Sequence, residues 1–221
     1  MWCIVRSFKL VLCVSLIFTF HLSPFTLQAQ IDTTGIRLQS LKPVPLAASF
    51  ALGGAGSLFT FQSDVNRLQV DLRDNIVAAN LPRVRVDDVL APMSALVPVT
   101  LNICGVKSRH PLGQMLLLEG GSYLLGLGWA EAIKYGVGVL RPDLSTYNSF
   151  PSSHTFVAFT AAEILRREYG EDYPWIAVAG YTVAAVVGAM RIYNNRHWVG
   201  DVLTGAGLGI LSVTLVYWAL D

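Results

Sequence analysis

Residues 202–220 read VLTGAGLGILSVTLVYWAL, a run without a single charged side chain. A bilayer core takes about 20 predominantly apolar residues of helix to cross, so the run predicts a membrane span. Gly205, Gly207 and Gly209 inside it are the small residues that let helix backbones approach closely in lipid. Working back from this helix, apolar stretches recur at 175–190, 155–165, 112–139, 89–106 and 46–61. The 112–139 stretch is broken only by the charges of Glu119, Glu131 and Lys134, carries Gly126 and Gly128, and fits a second span. The 155–165 stretch is shorter, ends in Arg166-Arg167, and takes its membrane assignment from its neighbours. Together they predict an all-α integral membrane bundle of about five to six core helices.

Composition agrees with lipid as the solvent. Hydrophobic residues make up 53% of the chain and charged ones 14%, against about 25% charged in soluble domains. A formal net charge of +1 with scattered basic residues gives no reason to expect a nucleic-acid partner. Arg6 and Lys9, the apolar run 10–20 and the small residue Ala29 form a signal-peptide pattern, with an uncleaved anchor as the alternative. The expected organisation is a signal peptide over 1–29, an N-terminal segment over 30–85, and the bundle over 86–221. Within 30–85, 46–61 reads as a Gly-rich apolar helix and 64–88 as an amphipathic helix lying at an interface. Gly53-Gly54-Ala55-Gly56 is not followed by Gly-Lys-Ser/Thr and does not read as a phosphate loop. With Cys3 and Cys13 in the signal, Cys104 stands alone in the mature chain, where a buried structural thiol is expected.

Three short stretches carry the chemistry. Lys134 lies seven residues before Arg141-Pro142; Pro151-Ser152-Ser153-His154 opens the next helix; His197 follows Arg191 by six residues and precedes Asp201 by four. Phosphoryl transfer needs cations on the transferred oxygens, an in-line nucleophile and a proton for the leaving group. Lys134, Arg141 and Arg191 would surround a phosphate, for which the planar arginine fork is suited. Free N–H groups at the helix start near Ser152 and Ser153 add anion donors, and His154 offers a proton. A spacing of four puts His197 and Asp201 on one helix face, so the carboxylate can hold one ring nitrogen and orient the other. Each stretch alone has a plainer reading: headgroup-anchoring cations, a helix cap, a structural His–Asp pair. Four histidines, one in the signal and His110 on the other side, make a His-rich metal centre improbable. Trp198 reads as a packing or interfacial aromatic, Glu119 as facing the bundle interior, and Asn194, Asn195 and Arg196 as loop or headgroup contacts.

The order and spacing of these residues resemble the type 2 phosphatidic acid phosphatase family, whose pattern is Lys-x6-Arg-Pro, then Pro-Ser-Gly-His, then Ser-Arg-x5-His-x3-Asp. The likeness covers roughly residues 88–220. It implies a helical bundle with the active site at one end and a metal-free, cofactor-free hydrolase. His197 would be the nucleophile that becomes phosphohistidine, Asp201 its support, and His154 the general acid. Lys134, Arg141, Ser152, Ser153 and Arg191 would hold phosphate. Implied substrates are phosphorylated membrane lipids: phosphatidic acid, phosphatidylglycerol phosphate, undecaprenyl pyrophosphate or lipid A phosphates. Ser153 stands where the pattern has glycine and Met190 where it has serine. Readings kept beside it are a soluble periplasmic acid phosphatase, a vanadate-dependent haloperoxidase of the same superfamily, and a non-catalytic receptor for phospholipid headgroups.

The basic loop 107–110 and Arg166-Arg167 would share one side of the membrane, which the positive-inside rule makes cytoplasmic. The three stretches then face the periplasm from the inner membrane. That orientation requires either the N-terminal segment or 46–61 not to span, and signal cleavage with a non-spanning 46–61 segment meets the requirement.

Overall fold

The computed structural model describes residues 43–221, which form helices α1 (Pro43–Phe61), α2 (Ser63–Ala78), α3 (Val86–Ile103), α4 (Leu112–Val137), α5 (Ser153–Tyr169), α6 (Pro174–Tyr193) and α7 (Val199–Leu220). No strand occurs among the described residues. The signal-peptide reading of 1–29, with Cys3 and Cys13, lies outside them.

The glycine-rich run that begins α7 is the axis of the bundle, because α7 is held between α1 and α5 at main-chain distance. A Cβ on Gly207 would stand 2.7 Å from the Ser49 carbonyl oxygen of α1, and one on Gly200 2.6 Å from that of Gly56. On the α5 side, a Cβ on Gly205 would stand 2.5 Å from the Ser152 carbonyl oxygen and one on Gly209 2.8 Å from that of Phe156. Each such separation is too short for any side chain, which explains why the run alternates glycine with larger residues. Along α1, positions 49, 56 and 60 meet α7 at 207, 200–204 and 200, so the two helices are antiparallel.

Alanine and valine fill the seam of α3, α5 and α6 (Ala91, Ala158, Ala162, Ala184, Val187), while Leu118, Ile164, Val213 and Tyr217 close α4, α5 and α7. The outward faces stay apolar: Leu117, Leu124, Trp175 and Val178 are exposed, as on a protein whose surroundings are hydrocarbon. By length and composition α1, α3, α6 and α7 can each cross a membrane. The 26-residue α4, expected to read as a span, is diluted by polar residues turned inward: Glu119 and Ser122 are buried. The fold is thus an all-α membrane bundle.

The segment 46–61 lies within the 19-residue α1, which by length and composition could cross a membrane. Two expectations are corrected. The amphipathic helix does not run over 64–88: α2 ends at Ala78, Asn80 turns left-handed at φ 46°, and Asp87 and Asp88 belong to the first turn of α3. Pro82, which cannot continue a helix, lies in the break. Cys104 is exposed rather than buried, because α3 ends at Ile103 and the chain turns away through Gly105 at φ 84°.

The two ends of the bundle differ. At one, His110 bridges Glu168 (Nδ1 to Oε1 2.9 Å) and Asp221 (Nε2 to Oδ1 2.8 Å), Tyr217 donates to Glu168 at 2.7 Å, and Lys107 pairs with Asp172. Arg166 and Arg167 belong to this end but turn back onto the buried carboxylate of Glu163. The opposite end gathers the C-termini of α1, α4 and α6 and the N-termini of α3, α5 and α7.

Candidate active site

His197 sits in the short turn between α6 and α7, where its N–H and that of Arg196 both donate to the Arg191 carbonyl, at 3.2 and 3.0 Å. The turn closes because Asn195 adopts φ 56°, a conformation asparagine tolerates better than most residues. His197 is buried, with Nδ1 3.3 Å from Asp201 Oδ2. The same oxygen accepts the Trp198 N–H at 2.8 Å, which caps the start of α7, and a short hydrogen bond from the Ser149 hydroxyl. Asp201 Oδ1 is buried with no hydrogen-bonding partner. An ionised carboxylate only accepts, so the proton of a neutral His197 lies on Nδ1 and the lone pair on Nε2. Burial pushes the His197 imidazole below its ordinary value; Asp201 opposes the shift, and Arg141 and Arg191 reinforce it.

The other cations come to the same end. Lys134, in the last turn of α4, donates to Glu131 at 2.8 Å and makes a short contact with the Ser153 hydroxyl. Past the helix, Gly138 turns left-handed at φ 62° and the chain enters the loop that carries Arg141. That loop is pinned by Trp198 Nε1 donating to the Leu140 carbonyl at 2.8 Å, by Arg196 pairing with Asp143 at 2.8 Å, and by Arg141 Nε on Asn148 at 2.9 Å. Burial and the neighbouring charges of Arg196 and Arg191 lower the Arg141 guanidinium's affinity for its proton. Arg191 and Arg196 are each paired with carboxylates, Asp87 and Asp88 for the first and Asp143 for the second, while Arg141 is held through Nε by the Asn148 side-chain oxygen.

Ser152 is placed differently. Its hydroxyl accepts from the Thr155 hydroxyl at 3.0 Å and caps α5, and its N–H donates to the Asp201 carbonyl at 3.0 Å. The N–H is committed within the protein, while the hydroxyl, an acceptor in both contacts with Thr155, keeps its own proton to donate. Ser152 ties the start of α5 to the start of α7, while Ser153 faces Lys134 and His154 stands half-exposed.

Four contributors, Ser149, Asp87, Asp88 and Gln69, escaped the sequence reading, and Asn194, read there as a loop or headgroup contact, has a structural part as well. Ser149 reaches Asp201 from the loop before the Pro151 stretch, with its own N–H on the Val139 carbonyl at 3.0 Å. Asp87 and Asp88 both accept from Arg191 Nη1, at 2.6 and 2.7 Å, and Asp88 Oδ1 is 3.5 Å from His154 Nε2. Asn194 secures Asp87 at 2.9 Å and also pairs with both backbone groups of Val84. Buried Gln69 of α2 accepts the Gly200 N–H at 3.1 Å. The one available signal was the Asp87-Asp88 pair at the head of an apolar helix, where two carboxylates require partners.

Fold and site together define a polytopic helical membrane protein with a His–Asp pair, a second histidine and three basic side chains at one end. A family model described as the PAP2 superfamily matches residues 115–221 of the chain. The lipid A 1-phosphatase of Porphyromonas gingivalis is 41% identical over 169 residues, which cover 76% of this chain and 37% of that protein. The undecaprenyl-diphosphatase of Sulfolobus acidocaldarius is 27% identical over 124 residues, 51% of this chain and 57% of that one. The chain thus spans less than two thirds of the length of these curated relatives. The crystal structure of the first transmembrane PAP2 type phosphatidylglycerolphosphate phosphatase, from Bacillus subtilis, shares the fold: TM-score 0.55 at 22% identity, covering 78% of this chain and 94% of that one.

Proposed function

We propose that the chain is a membrane lipid phosphatase that transfers the phosphoryl group to His197 and then to water. The observation that carries this is the buried His197 whose Nδ1 is held by Asp201, leaving Nε2 for attack, at the bundle end that also gathers Lys134, Arg141, Arg191 and His154. In this reading Nε2 forms a bond to phosphorus as the bond to the leaving oxygen breaks, and Asp201 stabilises the cation that develops on the ring. His154 gives its proton to the departing oxygen, then takes one from the water that hydrolyses the phosphohistidine. Lys134, Arg141 and Arg191 neutralise the transferred oxygens, so the step requires no metal. Ser153 completes this set through Lys134. Ser152 fixes the start of α5 through its N–H and offers its hydroxyl proton to a phosphate oxygen.

The substrate class we propose is a phosphomonoester or diphosphate on a membrane lipid, in keeping with the lipid names of the relatives and with a site at the end of an apolar bundle. We further propose that the protein lies in the inner membrane with this site facing the periplasm. Support comes from Lys107 and Arg109 at the opposite end. Arg67, Arg73, Arg83 and Arg85, on α2 and the connection after it, favour the other orientation, so sidedness calls for its own measurement.

The deciding experiment is phosphate release by detergent-purified protein from lipid monophosphates and diphosphates with excess chelator. Release that survives chelation and falls by about a thousandfold or more in His197→Ala is the expected result. Absence of release from every lipid would remove the phosphatase reading in favour of a headgroup receptor.

A further inference from the structure

Arg191 faces two carboxylates, and they are not equivalent. Asp87 is 1% exposed, and both of its oxygens are occupied: Oδ2 by Arg191 Nη1 at 2.6 Å and Oδ1 by Asn194 at 2.9 Å. A buried guanidinium needs one such partner, and Asp87 supplies it. The Asp88 side chain is 48% exposed, and its Oδ1 lies 2.7 Å from the same Nη1 and 3.5 Å from His154 Nε2. It is a second negative charge where one suffices, half-exposed, and it stands beside Nε2 of His154, the residue assigned above to the leaving group. A carboxylate beside an anion-binding site opposes an anionic group more strongly the more negative charge that group carries.

We propose that Asp88 is a specificity-determining residue that favours lipid phosphomonoesters over lipid diphosphates by opposing negative charge on the leaving group. The inference rests on the phosphatase reading and on His154 as its acid. With a monoester, the phosphorus–oxygen bond breaks as His197 Nε2 binds phosphorus, and the oxygen departs with the His154 proton as a neutral alcohol. With a diphosphate, attack at the terminal phosphorus expels a lipid phosphate that keeps negative charge after receiving the same proton. That charge passes next to Asp88. The groups around His154 divide by the same logic: Arg191 of α6 is matched by buried Asp87 of α3, His197 is committed to Asp201, and Lys134 of α4 is bound to Glu131 and Ser153. Asp88, which shares Arg191 with Asp87, is the carboxylate that stands exposed beside His154 Nε2, where the leaving group departs.

The test compares kcat/KM for phosphatidic acid and diacylglycerol diphosphate in one detergent, for the wild-type protein, Asp88→Asn and Asp88→Glu. The wild-type protein is expected to prefer the monoester. The diphosphate-to-monoester ratio should rise about tenfold in Asp88→Asn, the scale of one unit charge several ångströms away in a partly hydrated site. Asp88→Glu, which restores the charge, should keep the wild-type ratio. A ratio unmoved in Asp88→Asn, even with both rates reduced, overturns the proposal and leaves Asp88 as a support for Arg191. A wild-type preference for the diphosphate also overturns it. A salt series on the wild-type protein needs no variant to fold: a half-exposed charge is screened, so the diphosphate should gain on the monoester as salt rises, and a salt-independent ratio counts against the proposal. Turnover of both lipids with an unmoved ratio removes only the discriminator; no turnover of either removes the phosphatase reading with it.

Discussion

Asp201 Oδ2 accepts from three donors, and each sets something different: the Trp198 N–H the start of α7, Ser149 the loop before α5, and His197 the orientation of the ring. Ser149→Ala leaves the first and third but frees the carboxylate to turn. Losing a hydrogen bond to a charged group should lower kcat about tenfold with KM changed less than about twofold, and Ser149→Thr should recover most of the loss. Steady-state kinetics on a lipid monophosphate would check this. The depressed proton affinity of His197 has a definite sign in a pH profile. A nucleophile with lowered pKa stays neutral into more acidic solution, so the acid limb of kcat/KM should fall below the ordinary histidine value of 6.5. In Arg141→Gln a cation that disfavours the imidazolium is gone, and the limb should move to higher pH as overall activity drops; a limb that stays in place would mean another group controls it. At this scale the His197 and Asp201 pair was legible from its spacing of four, although the two meet across the cap of α7, with His197 in the turn before the helix, and not on a shared helix face. The carboxylates on Arg191 were not, since they lie 103 and 104 residues away and no local periodicity encodes such a pairing.

The helices themselves were legible from apolar runs, and what was missed has local physical causes. Reading 64–88 as one helix overlooked Pro82 and the left-handed Asn80, which end α2 and let α3 begin on two carboxylates. The role of α1 was hidden because its seam is built of Ser49, Gly53 and Gly56, residues that look featureless until their partner on α7 is known. The seam supplies its own test. Gly207→Ala places a methyl group 2.7 Å from the Ser49 carbonyl oxygen and should cost about 2 kcal/mol, read as a lowered Tm in detergent. A Cβ on Gly128 of α4 would meet open space, with no neighbouring atom within 4 Å, so Gly128→Ala should instead raise stability, by about 0.5 kcal/mol. Equal effects at the two positions would argue that the α1–α7 seam is looser than these distances imply.

Across the whole molecule, the antiparallel course of α1 against α7 puts residue 43 at the end that holds His110 and Asp221, away from the candidate site. A periplasmic site therefore requires residue 43 to be cytoplasmic, which is at odds with the expected cleavage after Ala29 followed by a non-spanning 46–61. Cys104 offers a direct probe, being exposed at that far end. In a variant lacking Cys3 and Cys13, a membrane-impermeant maleimide should leave Cys104 unlabelled in intact spheroplasts and label it after lysis; labelling before lysis would invert the orientation. The glycine contacts of α7 have a last consequence, for how such a protein can diversify. Because carbonyl oxygens and α-carbons set the gap between α5 and α7, the separation of the two histidine-bearing segments is a main-chain dimension, indifferent to the size of any side chain on the perimeter. Leu117, Leu124, Trp175 and Val178 can then be exchanged to suit bilayers of other thickness or composition while the chemistry keeps its geometry.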